Sequence, residues 1–218
     1  MNRLFNLDNP FMQFLFRVSD LIILNLIFIL SCIPIVTIGA SISALHSVCL
    51  KIVRNQESYM WQGFWKAFRQ NFKQGTILWI ISILLFIFIN MDYTILNAVD
   101  IPFFGYIKVA LGAVTAILFS MFIYVFPIIA HFKCTIRQAI KNALFMTIGH
   151  LPFSIILVVM YSLIFFLATW NVKTLALVIA VATICGFSVV TLTACIIFDR
   201  IFKKYEPEQE PIPEYNEY

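Results

Sequence analysis

Five stretches of this chain, 21–38, 77–89, 109–130, 151–168 and 174–198, are strongly apolar and carry no charged side chain. Runs of that kind decide the solvent. A helix of about 20 apolar residues crosses a hydrocarbon layer of roughly 30 Å, and it satisfies its own backbone N–H and C=O groups on the way. Helices of soluble cores are seldom so uniform. The expected fold is therefore all-α, a polytopic transmembrane helical bundle of about five spans.

Only 12% of the 218 residues are charged against 61% hydrophobic, whereas about a quarter of a soluble domain is charged. Five spans use nearly all of the length, so residues 1–205 read as one transmembrane domain. Residues 206–218 hold five glutamates and three prolines with little to bury, and are expected as a disordered acidic cytoplasmic tail. The net charge of +4 gives no case for nucleic acid, because the basic residues sit in short loops beside spans. No cleavable signal is expected in residues 1–20, which carry Arg3, Asp8, Arg17 and Asp20. Cys32, Cys49, Cys134, Cys185 and Cys195 are odd in number and include no CxxC pair, so a disulfide framework is not expected.

Basic residues in short loops mark the cytoplasmic side. Lys51, Arg54, Lys66, Arg69 and Lys73 follow the first run, Lys133, Arg137 and Lys141 the third, and Arg200, Lys203 and Lys204 the fifth. The opposite side offers only Lys108 and Lys173. With five spans, that asymmetry puts the N-terminus outside and the C-terminus in the cytoplasm.

The first apolar stretch continues to Leu50, about 45 Å as one helix, which exceeds the bilayer. Pro34 and Gly39 lie near its middle and are the expected helix break, leaving 41–54 as a more polar helix at the cytoplasmic boundary. In 58–73, Trp61, Phe64, Trp65, Phe68 and Phe72 follow one helical face, and Gln62, Lys66, Arg69, Gln70 and Lys73 the other. An aromatic face backed by a basic one describes a helix lying in the cytoplasmic interface. It anchors on membrane lipid, and its outward surface is a candidate docking site for a partner. Residues 134–146 form a second such helix. The expected bundle thus has two cytoplasmic interfacial amphipathic helices. The order of span, proline, basic helix and span occurs twice, an arrangement that a duplication or shared loop demands both explain.

Chemistry inside a membrane needs ionisable groups at depth, and none is visible. Asp20 and Asp199 lie at span ends, while Asn25, Asn90, Thr115, Ser120, Thr183 and Ser188 suit bonds between helices. HExxH, P-loop and GxGxxG patterns are absent, so no catalytic residue, cofactor or enzymatic activity is expected. His46-x-x-Cys49 and His131-x-x-Cys134 could face one another as a Cys₂His₂ set, but the spacing is common by chance and no metal site is expected.

Ser31-Cys32-Ile33-Pro34-Ile35-Val36-Thr37-Ile38-Gly39-Ala40, with the later Phe64-Trp65-Lys66-Ala67-Phe68-Arg69-Gln70-Asn71-Phe72-Lys73-Gln74, resembles the YesL family of bacterial integral membrane proteins. Asn9-Pro10 and Asp20-Leu21-Ile22-Ile23-Leu24-Asn25 also look like that family's N-terminal pattern. The resemblance covers the first ninety residues; beyond them it rests on hydrophobic layout, His150-Leu151-Pro152 and length. It implies a five- or six-helix protein of the Gram-positive cytoplasmic membrane, often encoded near sugar-uptake and polysaccharide-breakdown genes, with no assigned activity. An accessory or permease-like component of carbohydrate uptake, partnered by subunits of a sugar-uptake system, is the first expectation. No glutamate-alanine-alanine coupling signature accompanies it. A membrane scaffold or assembly factor, recruiting a cytoplasmic partner through the aromatic-basic helix, is the alternative.

Overall fold

The computed structural model describes residues 10–56, 59–98 and 104–206, which hold helices and no strand. Helix α1 spans Pro10–Ser31, and a 3-10 turn at Ile35–Thr37 leads into α2, Ile38–Val53. Then come α3 (Met60–Ala98), α4 (Phe104–His131), α5 (Ile136–Gly149), α6 (Leu151–Trp170) and α7 (Val172–Val181). A π-turn at Ala182–Gly186 joins α7 to α8, Phe187–Phe202. Five stretches are long and apolar enough to cross a membrane: Ile35–Val53, Met60–Asn97, Gly105–His131, Leu151–Trp170 and Val172–Phe202. The chain is an all-α polytopic helical bundle.

The first of these stretches is not the one expected. Instead of a span over 21–38 followed by a boundary helix over 41–54, α1 ends at Ser31 and α2 becomes the central, most buried helix. Pro34 sits in extended backbone ahead of the 3-10 turn, where it has no N–H to extend α1. The freed Ser31 carbonyl accepts from the hydroxyls of Thr37 at 2.7 Å and Ser41 at 3.2 Å, pinning the start of α2 to the end of α1. Farther along, Asn25 and Cys49 both reach Ser188. As one straight helix they would stand about 36 Å apart. The chain therefore doubles back between α1 and α2.

Ser41 and Ser43 of α2 looked like interface polarity, but their hydroxyls are satisfied locally. Ser41 donates to Thr37 O and Ser43 to Gly39 O. That leaves Gly39, Ala40, Ser41, Ser43 and Ala44 as a small-residue, buried surface against which neighbours approach closely. Gly39 does not break the helix. A Cβ there would stand 2.2 Å from the Gly75 carbonyl oxygen, and one on Gly75 2.8 Å from Ala40 N, so α2 and α3 meet backbone to backbone. Lack of a side chain, not conformational freedom, is what this position uses.

Helix α3 has 39 residues, about 58 Å and roughly twice the hydrocarbon thickness. Its charges divide it: Lys66, Arg69 and Lys73 lie in the first half, and 77–89 has none. The expected amphipathic segment forms, but runs into the apolar half without a break. Gly75 is spent on packing, and no proline intervenes. The second amphipathic helix is α5, begun by a Thr135–Gln138 capping box.

Phe64, Ala67 and Leu78 of α3, Tyr124, Phe126 and Ile128 of α4, and Cys195, Phe198 and Phe202 of α8 share a buried core with α2. Away from this core the helices present apolar side chains outward, among them Phe86, Phe165 and Leu177, as helices facing lipid do.

One polar device fastens α1 to this core. The π-turn leaves backbone groups without their usual i to i−4 partners. The Asn25 amide donates to the carbonyls of Ala182 and Thr183, both at 2.9 Å, and its oxygen accepts from Ser188 N–H at 3.2 Å. Asn25 is completely buried.

Candidate functional site

Where α2, α3, α4 and the start of α5 meet, polar residues together with Leu50, Ile129, Ala130 and Phe132 line an open cavity of about 610 Å³. The end of α2 contributes Ser47 and Lys51, followed by Arg54 and Gln56; α3 contributes Gln70, Asn71 and Gln74. His131 closes α4, and Lys133, Cys134, Thr135 and Gln138 line the turn into α5. Gln74 fixes one corner by donating to the Cys134 carbonyl at 3.1 Å. The capping box fixes another: Thr135 Oγ1 accepts from Gln138 N–H, and Gln138 Oε1 accepts from Thr135 N–H at 2.9 Å.

A charge network adjoins this cavity. Arg54 donates through Nε to Asp199 Oδ1 and through Nη2 to Glu206 Oε1, each at 2.7 Å. His131 Nε2 lies 2.5 Å from the same Glu206 oxygen, and Lys203 reaches Asp199 Oδ2 at 2.7 Å. The His131 ring stacks on Phe202 with centroids 5.3 Å apart. Hydrogen bonds from Arg54 foremost, and then from His131, hold the Glu206 carboxyl below the usual glutamate range although burial opposes them. Burial likewise disfavours the Arg54 charge, but Glu206 and Asp199 outweigh it and raise its pKa. The network joins the ends of α2, α4 and α8. Glu206, expected as the first residue of a disordered tail, is docked here; the remaining tail, 207–218, lies outside the described residues.

The residues singled out in the sequence are distributed differently. Pro34 stands between α1 and α2, and Gly39 at the α2–α3 crossing. Of the aromatic row, Phe64 is fully buried against the core, while Trp61 is 57% exposed and Phe72 is exposed. Trp61, Trp65, Phe68 and Phe72 form an edge-to-face ladder along α3, with ring centroids 5.4–5.9 Å apart. Lys66, Arg69 and Lys73 are exposed. Trp61, Gln62, Trp65, Lys66, Arg69 and Gln70 border a shallow open groove on the outer side of α3. The two His-x-x-Cys pairs do not come together. His46 faces Cys195 at 3.4 Å inside the core, and His131 faces Glu206. Among the described residues no three His, Cys, Asp or Glu side chains are grouped to hold a metal ion.

Sequence reasoning missed the cavity. Among its amides Gln70 read as part of the polar face of an interfacial helix, while Arg54 read as a loop charge, Asp199 as a span-end charge and Glu206 as part of the tail. The partners of Arg54 lie 145 and 152 residues away, which no spacing rule reaches. The Thr135-x-x-Gln138 cap was the one local signal available.

The fold thus belongs to a multi-pass membrane protein with a polar cavity at its basic end. A family model described as "Protein of unknown function, DUF624" matches residues 21–93, and that family includes YesL-type membrane proteins, as the resemblance implied. The match takes in the α1–α2 reversal, the Gly39–Gly75 crossing, and the α2 and α3 walls of the cavity. Neither a curated protein nor a solved structure matches the chain.

Proposed function

We propose that this protein is an accessory or permease-like component of carbohydrate uptake or utilisation, holding a polyhydroxylated solute in the cavity at its basic end. The amide-rich lining carries this reading. Gln56, Gln70 and Asn71 each present donors and an acceptor, and Ser47 adds a hydroxyl, while Gln74, Thr135 and Gln138 are engaged in fixing the wall. Sugar hydroxyls, both donors and acceptors, call for that mixture. A volume of about 610 Å³ lies within the range of small-molecule sites. The role is binding rather than catalysis, in the bacterial cytoplasmic membrane, with the basic loops and C-terminus facing the cytoplasm. The doubling back of α1 on α2 favours the N-terminal end of α1 on that same side, in place of the outside position expected from five spans.

Uptake of labelled sugars by cells lacking the protein tests this. Uptake of at least one carbohydrate should fall, and wild type should restore it where Gln70→Leu with Asn71→Leu, inserted at normal level, does not. Unchanged uptake across a broad sugar panel refutes the proposal. Exposure of Trp61 beside Lys66 favours a second role for the α3 groove, docking a cytoplasmic subunit of the uptake system. Lys66→Glu with Arg69→Glu should then abolish co-purification without impairing insertion.

A further inference from the structure

Lys51, Arg54, His131 and Lys133 all line the cavity, together with its amides. Arg54 and His131 share one oxygen of Glu206, and among the described residues no carboxylate lies within 4.0 Å of Lys51 or Lys133. We propose that the cavity binds a phosphorylated polyol, and that the Glu206 carboxylate is its built-in competitor for Arg54 and His131. This rests on the reading of the cavity as a carbohydrate site and adds the anionic group. A phosphate monoester carries a charge of about −1.5 to −2 and three strong acceptor oxygens. It therefore suits two lysines and a guanidinium together better than one carboxylate does, and Gln56, Gln70 and Asn71 remain for the hydroxyls. When phosphate takes Arg54 and His131, Glu206 is released, and with it the start of a segment bearing Glu208, Glu210, Glu214 and Glu217. Occupancy and tail docking then exclude one another, and by linkage each weakens the other to the same degree.

Calorimetry on the full chain in detergent micelles, with glucose 6-phosphate, glucose and inorganic phosphate as probes, tests the proposal. Glucose 6-phosphate should bind at least tenfold more tightly than glucose or inorganic phosphate. Glu206→Ala should tighten it at least fivefold, and Lys133→Gln, at an exposed residue that the fold does not need, should weaken it about tenfold. Glucose 6-phosphate binding no more tightly than glucose overturns the phosphate site and leaves the carbohydrate reading standing. Inorganic phosphate binding as tightly as glucose 6-phosphate overturns the polyol, and with it the carbohydrate reading. An affinity that Glu206→Ala leaves unchanged overturns the competition. Phosphatidylcholine nanodiscs with and without phosphatidylglycerol separate the sources of phosphate. Unchanged affinity for glucose 6-phosphate is expected, and its loss with phosphatidylglycerol assigns the site to a lipid headgroup and overturns the soluble ligand.

Discussion

Replacing Asn25 by leucine should destabilise the protein more than any other change of one uncharged side chain at similar volume. Three hydrogen bonds disappear together, two to the carbonyls of Ala182 and Thr183 and one from Ser188 N–H. Each is worth about 0.5–1.5 kcal/mol net, and bonds between helices in a membrane average about 0.6 kcal/mol. Three of them give about 2–4 kcal/mol. Local repair is blocked. Closing the π-turn into regular α-helix would shift the register by one residue and rotate α8 by about 100° against α7. Cys195, Phe198 and Asp199 would then leave their partners on α2 and α4. Equilibrium unfolding in mixed micelles, followed by circular dichroism against increasing sodium dodecyl sulfate, reads the loss directly. Asn25→Asp supplies an internal check: it keeps an acceptor for Ser188 N–H but can donate at most one bond, and only when protonated. Its stability deficit should therefore shrink between pH 7 and pH 5. An Asn25→Leu protein within about 0.5 kcal/mol of wild type would show that the π-turn carries no such load, since only neutral surface positions behave that way.

At the α2–α3 crossing, Gly39→Ala should cost about 1–3 kcal/mol or more, because its Cβ meets backbone rather than a side chain that can swing aside. Gly105→Ala and Gly149→Ala, with no atom within 4 Å, should stay within about 0.5 kcal/mol in the same titration. Glu206 has a lowered folded pKa, so its contribution is fully present above its ordinary value of 4.5 and fades as pH falls through the lower folded value. Proteolysis of the C-terminal segment should accordingly speed up in acid, and Glu206→Gln should remove that acid dependence. If α1 and α2 return to one side, Asn6→Cys and Gln209→Cys should both be labelled from the cytoplasmic side only, and external labelling of Asn6→Cys would restore the five-span topology.

What the sequence made legible was governed by local and periodic signals. Charge-free length announced the helices, alternation of Phe64 and Lys66 announced the amphipathic part of α3, and Pro34 announced a discontinuity near residue 34. The direction taken after Pro34 was not readable, because it depends on Thr37 and Ser41 finding the Ser31 carbonyl and on Asn25 finding a π-turn 157 residues away. Serine-rich 41–47 looked polar by composition, yet the Ser41 and Ser43 hydroxyls, bonded to carbonyls one turn back, leave a surface fit for burial. Gly39 and Gly75 are 36 positions apart, and only the folded α2–α3 pair shows that each needs the other. The cavity was hidden for the same reason. Its amides and cations come from four elements, and each element alone has a sufficient explanation as a solvated face.

The charge network near the cavity is better understood as a register device than as a source of stability. Apolar helices lined with small residues can slide on one another in lipid at little cost, because burial itself does not distinguish one register from the next. Asn25 fixes α8 against α1, and Arg54 fixes its far end against α2 and α4 through Asp199 and Glu206. Two polar fastenings on one rigid helix leave it no freedom to shift. Partly buried ion pairs add little net stability when replaced as a unit, whereas removing one member leaves its partner stranded. Arg54→Met alone should therefore cost about 1–3 kcal/mol, tempered by the bond from Lys203 that Asp199 retains. Arg54→Met with Asp199→Leu should recover most of that loss while amide hydrogen exchange at the ends of α2 and α8 becomes faster than in wild type, since the register is no longer fixed. A double variant whose exchange protection matches wild type would reduce the network to a surface ornament of the fold. It would also remove the reason for the wall of the cavity to respond to whatever occupies Arg54.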